Sequence, residues 1–563
     1  MKMNNLLCRV ATVVVALLLS LASAEAQEKS RDARDFELGR ATEILANIMR
    51  EFETGYVDEV SADRLLESAA MGLVEATDPY SEYLSEESMR SFEVMTTGRY
   101  GGVGSLIRKK GDYVIFAQPY KGSPSDDAGV RIGDKILAID GVSMRGLDVA
   151  EISKRLKGDP ETQVSVVVER NLDGEVDTLS IVRRRISIPS VPYAGFLRDG
   201  VGYILHNDFK ESSYDEVRRA LESLMAQDTL RGLVLDYRSN GGGVMQAAVD
   251  IASLFLPRGE RIVSIMGRDS SSLRHFDTRH APLAEDIPVV VLVNGSSASA
   301  SEILAGALQD NDRAVVMGQR TYGKGLVQGT RHMGYNSYLK YTTAKYYIPS
   351  GRCIQALNYA ERGSDGKVNS VPDSLIKQYS TRNGRHVYDG GGIVPDVKME
   401  PRYVSRFALT LYALGFMEDW ADEYMRKHHA RSIDVRTFTI TDEEYDDFKR
   451  FIAERDVPYE SETRLALKSL ERAMENDLYD ERMGEALENL RSLLSDDKMS
   501  NMETYRREIV DMLNYELLLR YAYSQGAMEH AAVTDDEVER AVALLLDDEQ
   551  YRRILREQHL DMH

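Results

Sequence analysis

VLVNGSSASASEILAGALQDNDRAVVMGQRTYGKGLVQ, residues Val291 to Gln328, decides how this chain is read. The apolar run Ile287–Val293 has the composition of a strand buried on both faces of a parallel sheet. Asn294-Gly295 turns the chain. A helix then opens in a serine cluster, with Ile303, Leu304, Ala307 and Leu308 at helical spacing. A second apolar strand, Arg313–Met317, runs into Gly318 and a tight Gly323-Lys324-Gly325. This order puts a hydroxyl and an amine at the carboxyl ends of neighbouring strands, where open α/β sheets place their sites.

Residues 187–400 continue that α/β pattern. Val201–Leu205 reads as a strand, Tyr214–Met225 as a helix, and Leu230–Asp236 as an apolar strand leading into Asn240-Gly241-Gly242-Gly243. A helix Val244–Phe255 follows, and Tyr338–Tyr347 is strand-like. The polar stretch Ala360–Tyr388 is expected to be a surface loop. Residues 99–186 differ in character. Strand-like runs at Tyr113–Phe116, Lys135–Ile139 and Gln163–Arg170, a hairpin signal at Asp140-Gly141 and a short helix Leu147–Leu156 indicate a small β-rich domain. Its first loop, Gly101-Gly102-Val103-Gly104, suits either plain chain reversal or a nest of backbone N–H groups for an anion such as a peptide C-terminus. Residues 27–98 are helical by spacing, from Leu38, Ala41, Ile44, Leu45, Ile48 and Met49 onward. Residues 401–563 are helical, acidic and poor in glycine and proline. They suit an accessory bundle, a homo-oligomer contact or an adaptor platform.

The formal net charge of −21 argues against nucleic acid as a partner, since phosphate contacts need a basic face. Lys2 and Arg9 precede an apolar run, Val10–Leu21, and then Ala22-Ser23-Ala24 and Ala24-Glu25-Ala26. Residues 1–26 therefore read as a signal peptide cut after Ala24 or Ala26, which directs the chain across the inner membrane to the periplasm or cell envelope. Cys8 lies ahead of the apolar run, so Cys353 alone remains after cleavage and no intrachain disulfide is possible.

Four serines compete for a chemical role: Ser296, Ser297, Ser299 and Ser301. A hydroxyl needs a base to become a nucleophile, and a helix start offers free N–H groups for an oxyanion. Ser299-Ala300-Ser301-Glu302 equally fits a capping box. Lys324 is the candidate base. In an apolar, glycine-walled pocket with no carboxylate beside it, its amine is expected to be neutral near pH 7. If Gly325–Gln328 is extended, Lys324 and Gln328 point the same way, so Gln328 can hold the amine. Gly318–Gly325 imitates a phosphate-binding loop, but Gly325 stands where Ser or Thr must hold magnesium, and a strand rather than a helix follows. No cysteine–histidine cluster suggests a metal, and no cofactor is implied. His275, His280 and His332 are the nearest histidines for a serine–histidine–aspartate arrangement.

Taken together, Ser297-Ala-Ser-Ala-Ser-Glu-Ile303, Ala305-Gly-Ala-Leu-Gln-Asp310, Thr321-Tyr-Gly-Lys-Gly325 and Gln328 resemble the carboxyl-terminal processing peptidases. Asp78-Pro79-Tyr80-Ser81, Tyr100–Gly104, Asn240–Gly243, Pro349–Arg352 and Gly392–Asp396 extend the resemblance over roughly residues 36–400. It implies an α/β protease core at 187–400 with an inserted PDZ domain at 99–186 and helical N- and C-terminal regions. It implies Ser299 as nucleophile, Lys324 as base 25 residues on, and Gln328 as its partner. Gly242 and Ala300 become the oxyanion donors, although Gly241 stands where the family has a proline. Gly101, Gly102, Val103 and Gly104 become the loop that binds apolar C-terminal tails of protein or peptide substrates. The rival reading is a catalytically dead PDZ-bearing scaffold.

Overall fold

The computed structural model describes residues 32–362, 368–477, 481–493 and 498–556. The segment read as a signal peptide lies outside them. The chain divides into two units, one running to Glu86 and adding Gln328–Thr342, the other comprising Glu87–Val327 and Thr343–His563.

In the first unit residues 32–55 and Ala62–Glu75 are helical. Ser61 caps the second helix by accepting from Arg64 N–H. Strand Glu82–Leu84 pairs antiparallel with Tyr338–Lys340, and Lys340 reaches Glu82 at 2.7 Å.

The second unit holds a six-stranded sheet. Its strands are β1 (Tyr193–Phe196), β2 (Val201–Leu205), β3 (Gly232–Asp236), β4 (Val289–Val293), β5 (Val315–Gly318) and β6 (Val397–Lys398), in that order across the sheet. β1 and β2 are antiparallel and every other pair is parallel. Helices α1 (Ser213–Gln227), α2 (Met245–Ala252) and α3 (Ala300–Asp310) make the crossovers.

The strand order never reverses between β2 and β5. Right-handed crossovers in such a sheet all fall on one face. Leu221, Ala248 and Leu304 accordingly share one core with Leu233, Leu235 and Val291. The opposite face, with Val234, Val290, Leu292 and Met317, needs another cover. The C-terminal helices Asp536–Leu546 and Asp548–Ile554 supply it through Val538, Val542, Leu545 and Tyr551. The Tyr551 hydroxyl both donates to Val289 O and accepts from Val289 N–H, at 2.9 and 3.0 Å. The rest of the helical tail builds its own core around Trp420, Tyr445, Phe448 and Leu517. The tail read as an accessory bundle therefore divides, and its last helices are part of the α/β layer structure.

The β-rich domain has five strands in the order Ser105–Lys110, Tyr113–Pro119, Lys135–Ile139, Gln163–Glu169 and Val176–Val182, with the short strand Val142–Ser143 beside the third. Helix Val149–Leu156, capped by Asp148, packs Ile152 and Leu156 into its core. The ribbon Arg99–Gly102 with Arg184–Ser187 closes the domain where the chain enters and leaves it. The expected surface loop Ala360–Tyr388 is structured in its described part. Leu357–Arg362 pairs with Val368–Ser370, and Gln378–Ser380 with His386–Tyr388. Polar composition misled there: Val387 is buried in the second ribbon, as are Thr381 and Arg385 beside its turn.

Candidate active site

β4 ends at Val293 and the chain turns at Asn294 before α3 begins. The turn sorts the four serines. Ser297 is buried, with its hydroxyl donating to Tyr237 O at 2.8 Å and accepting from Asn294 N–H at 2.9 Å. Ser301 is buried and donates to Asn240 O at 2.8 Å. Ser296 is exposed. Ser299 is half-buried at the start of α3 with φ 58° and ψ −113°, a backbone conformation that costs a non-glycine residue on the order of 1–3 kcal/mol. Helix α3 behind it is buried at all eleven positions, so the strained turn is held from every side.

What holds it is Glu302. This side chain has no solvent exposure and accepts four hydrogen bonds. Its Oε2 takes Ser299 N–H at 2.8 Å and Lys324 N–H at 2.9 Å. Its Oε1 takes the Thr321 hydroxyl at 2.5 Å and Gly323 N–H at 2.8 Å. Burial pushes the Glu302 carboxyl up to about 7, against the lowering effect of those four donors. A second clamp works on the carbonyls. The buried Tyr346 hydroxyl contacts both Lys324 O and Ser299 O, the latter at 3.2 Å. The reading of Ser299–Glu302 as a capping box captured only the return of Glu302 to Ser299. It missed that the same carboxylate reaches the lysine loop. The setting expected for Lys324, with no carboxylate near it, is corrected accordingly.

Gly323 and Gly325 flank Lys324 because chain passes directly against them. A Cβ on Gly323 would sit 2.5 Å from the Ala356 Cβ, and one on Gly325 2.8 Å from Gln355 N. Thr321 Oγ1 also accepts from Ile393 N–H at 2.6 Å, so the Gly392–Asp396 segment braces the same loop. The strand Leu326–Gly334 follows, where a phosphate-binding loop would need a helix. Gln328 donates from its amide to Thr342 Oγ1 at 3.1 Å within the first unit. Of the histidines, His275 turns Nδ1 to Ser264 Oγ at 2.9 Å, His280 stacks on Tyr214, and His332 lies edge-on to Tyr338.

The two expected oxyanion donors differ. Ala300 begins α3, where the first N–H groups have no partner within the helix. Gly242 lies against it, since a Cβ there would meet Ser299 Cβ at 2.8 Å and Ala300 N at 2.9 Å. Yet Gly242 N–H donates to Asn240 Oδ1 at 2.9 Å. The Gly242 donor is therefore engaged within its own turn in this structure. Asn240, whose Nδ2 donates to His206 O at 2.7 Å, holds the glycine turn in that state.

The glycine loop of the β-rich domain is also more occupied than expected. Gly101 and Gly102 are strand residues opposite Arg185 and Arg184, and Val103 is in the domain core. Gly104 has φ 78° and abuts Ser123, and its carbonyl accepts from Tyr120 N–H and the Ser125 hydroxyl. What stays open is the outer edge of Ser105–Lys110, which pairs on one side only. Lys110 on that strand pairs with Asp419 of the helical tail at 2.6 Å, and Arg108 pairs with Glu418.

Sequence reasoning gave Glu302 no role beyond a cap and missed Tyr346 and Asn240 altogether. The signal for Glu302 was present in Ser-x-x-Glu. For Tyr346 and Asn240 the contacts arise only in the folded chain.

Residues 200–360 match peptidase family S41, 115–170 match a PDZ domain, and 407–545 match the C-terminal helical domain of a probable PDZ-protease. A carboxy-terminal-processing protease of Bartonella bacilliformis is 35% identical over 336 residues, covering 59% of this chain and 74% of that protein. A probable CtpA-like serine protease of Staphylococcus aureus is 36% identical over 312 residues, covering 55% of this chain and 62% of that protein. A solved structure of photosystem II D1 C-terminal processing protease is similar at 29% identity, covering 63% of this chain and 86% of that one, with a TM-score of 0.34.

Proposed function

Because the chain belongs to the carboxy-terminal-processing proteases of peptidase family S41, we propose that it is a serine endopeptidase of the cell envelope with a Ser299–Lys324 dyad. One observation carries this reading. Ser299 stands in a strained turn at a helix start, and its backbone shares one buried carboxylate oxygen with that of Lys324. Both other buried serines spend their hydroxyls on backbone carbonyls.

In the proposed reaction the neutral Lys324 amine takes the Ser299 proton as Oγ attacks the substrate carbonyl. The oxyanion forms against Ala300 N–H at the start of α3. Gly242 adds a second donor when its N–H leaves Asn240. Collapse of the tetrahedral intermediate breaks the peptide C–N bond, and the Lys324 ammonium returns the proton to the leaving amine. Water then hydrolyses the acyl-enzyme along the same path. A role for Gln328 beside the lysine rests on the sequence resemblance alone. A substrate's apolar C-terminal tail adds as a strand to the open edge of Ser105–Lys110, with its carboxylate toward Gly101–Gly104. The region 401–563 is the candidate surface for a second copy or an adaptor. The sequence of residues 1–26, read as a signal peptide, supports the envelope location.

The test is cleavage of an unfolded protein by the purified chain and by Ser299→Ala. Wild-type cleavage with a silent variant supports the reading, and equal absence from both favours a scaffold. Peptides with a free or amidated C-terminus, titrated against both proteins, test recognition by the PDZ domain.

A further inference from the structure

We propose that Glu302 is the positioning residue of the site: its carboxylate, in the ionised state, sets the Ser299 turn and the Lys324 loop in register, and its protonation disengages them. This inference rests on the dyad reading above and goes beyond it, because Glu302 touches neither substrate nor a reacting atom.

The argument is one of acceptor capacity. The carboxylate receives Ser299 N–H and Lys324 N–H on Oε2, and the Thr321 hydroxyl and Gly323 N–H on Oε1. All four groups arrive as donors. Three are backbone N–H groups that cannot reverse. The fourth, the Thr321 hydroxyl, already accepts from Ile393 N–H. An ionised carboxylate has lone pairs for all four. A protonated one keeps three acceptor sites and gains a donor, so one of the four bonds is lost: either an N–H meets the new O–H head-on, or the Thr321 hydroxyl reverses and its own proton goes without this acceptor. Because each oxygen serves a different pair, protonation at Oε2 displaces Ser299 or Lys324 from their shared acceptor, and protonation at Oε1 loosens the loop from Thr321 to Gly323.

The position suits an anion. Glu302 lies in the first turn of α3, where the helix dipole favours negative charge. Two titratable residues share its backbone partners: Lys324, whose N–H it accepts, and Tyr346, whose hydroxyl holds the carbonyls of the two residues that Glu302 holds by their N–H groups. The carboxylate is thereby spent on fixed backbone dipoles, which limits its repulsion of the oxyanion forming nearby. Burial disfavours this charge, so the ionised state persists only while the four donors stay in place.

The experiment is a pH–rate profile of the full chain, its Glu302→Gln variant, and the pair Thr321→Val and Thr321→Ser, on one peptide. Glu302→Gln offers one acceptor oxygen and an NH2 where two donors wait. Its kcat is expected to fall about tenfold or more with KM changed about twofold or less, as for lost alignment rather than lost binding. Thr321→Val removes one donor from the ionised carboxylate. The acid limb is expected to move to higher pH by roughly half a unit or more, while Thr321→Ser leaves it near the wild-type position. The direction is diagnostic. If Lys324 alone set the limb, a weaker neighbouring anion would lower the pH of the limb instead. A limb that moves down or stays fixed in Thr321→Val overturns the inference, as does wild-type kcat in Glu302→Gln. If Glu302→Gln does not fold, the threonine pair still decides. If neither wild type nor Ser299→Ala cleaves, the dyad reading fails, and hydrogen exchange of residues 318–327 judges the clamp. Faster exchange there at acid pH in a folded wild type supports it, and unchanged exchange overturns it.

Discussion

Ser299 and Lys324 hang by their backbone N–H groups from a single oxygen atom, Glu302 Oε2, at 2.8 and 2.9 Å. Ser299 comes from the turn after β4 and Lys324 from the loop after β5. These loops leave adjacent strands paired in parallel, Val293 opposite Gly318. A parallel sheet brings two such loops near each other, but fixes their spacing no better than the loops are stiff. The carboxylate removes that slack, and the Tyr346 hydroxyl does the same for the carbonyls.

The serines should separate by what each hydroxyl does. Ser299→Ala is expected to abolish cleavage and leave the thermal midpoint nearly unchanged. Ser297→Ala and Ser301→Ala each lose a buried hydrogen bond, at about 1–3 kcal/mol of stability, and are expected to keep much of the activity. Melting curves beside cleavage rates check this. Loss of activity in a well-folded Ser301→Ala with full activity in Ser299→Ala would reassign the nucleophile.

Gly242→Ala is expected to lose activity by about a hundredfold or more, the scale of a disrupted oxyanion donor. The residue has φ 96°, and its new Cβ would meet Ala298 O at 2.7 Å and Ser299 Cβ at 2.8 Å. Neither neighbour can move without shifting Ser299 or the start of α3. Gly241→Ala is the control, since nothing lies within 4 Å of its Cβ position. Equal rates in the two variants would show that the Gly242 approach is immaterial.

Much of this arrangement was legible beforehand. Val289–Val293 is wholly valine and leucine, and Gly232–Asp236 is so at its three central positions, so their burial as central parallel strands followed from composition. Ser299 and Lys324 stand at the ends of such strands, which made them candidates before any geometry was known. The tail was harder. Val538, Val542 and Leu545 follow helical spacing like any amphipathic helix, and spacing does not say which surface the apolar face meets. The unreversed strand order supplies the missing reason, but that order is visible only in the fold. The resting bond of Gly242 was hidden for a local reason. Its donor is taken by Asn240, two residues away, through a turn whose side-chain bond no motif spells out.

The C-terminal helices offer a direct check on that packing. Leu545 is buried against the sheet and lies 3.1 Å from where a Cβ on Gly232 would stand. Leu545→Ala is expected to cost about 2–5 kcal/mol. Truncation after Thr534 strips Val538, Val542, Leu545 and Tyr551 from one face of β3 and β4 and should leave an insoluble chain. A soluble, active truncation would show that the sheet tolerates a bare face.

Lys324→Arg is expected to be inactive below about pH 11, because a guanidinium stays protonated and cannot accept the serine proton. Lys324→His is expected to recover traces of activity with a limb near 6 to 7, the range of a free imidazole. Rates on one peptide across pH check both. Full activity in Lys324→Arg would remove the lysine as base and return attention to His275 and His280.

Stability should carry the signature of Glu302 with a definite sign. Its carboxyl rises from an ordinary 4.5 to about 7 on folding, with burial the leading cause. The folded chain therefore holds a proton there that the unfolded chain has already released. Stability from this group is fully present below about pH 4.5 and is lost as pH rises through about 7. At roughly 1.4 kcal/mol per unit, the full change is on the order of 3 kcal/mol. Activity runs the other way, since the four donors are all satisfied only by the ionised form. The chain is thus expected to be least stable, as far as this residue goes, in the range where it works. Thermal midpoints of wild type and Glu302→Gln between pH 4.5 and 8 isolate the effect, because other titrating groups cancel in the difference. The gap between the two curves should shift by several degrees against the wild type as pH rises. A gap that stays constant would mean that the four hydrogen bonds outweigh burial and keep Glu302 ionised throughout.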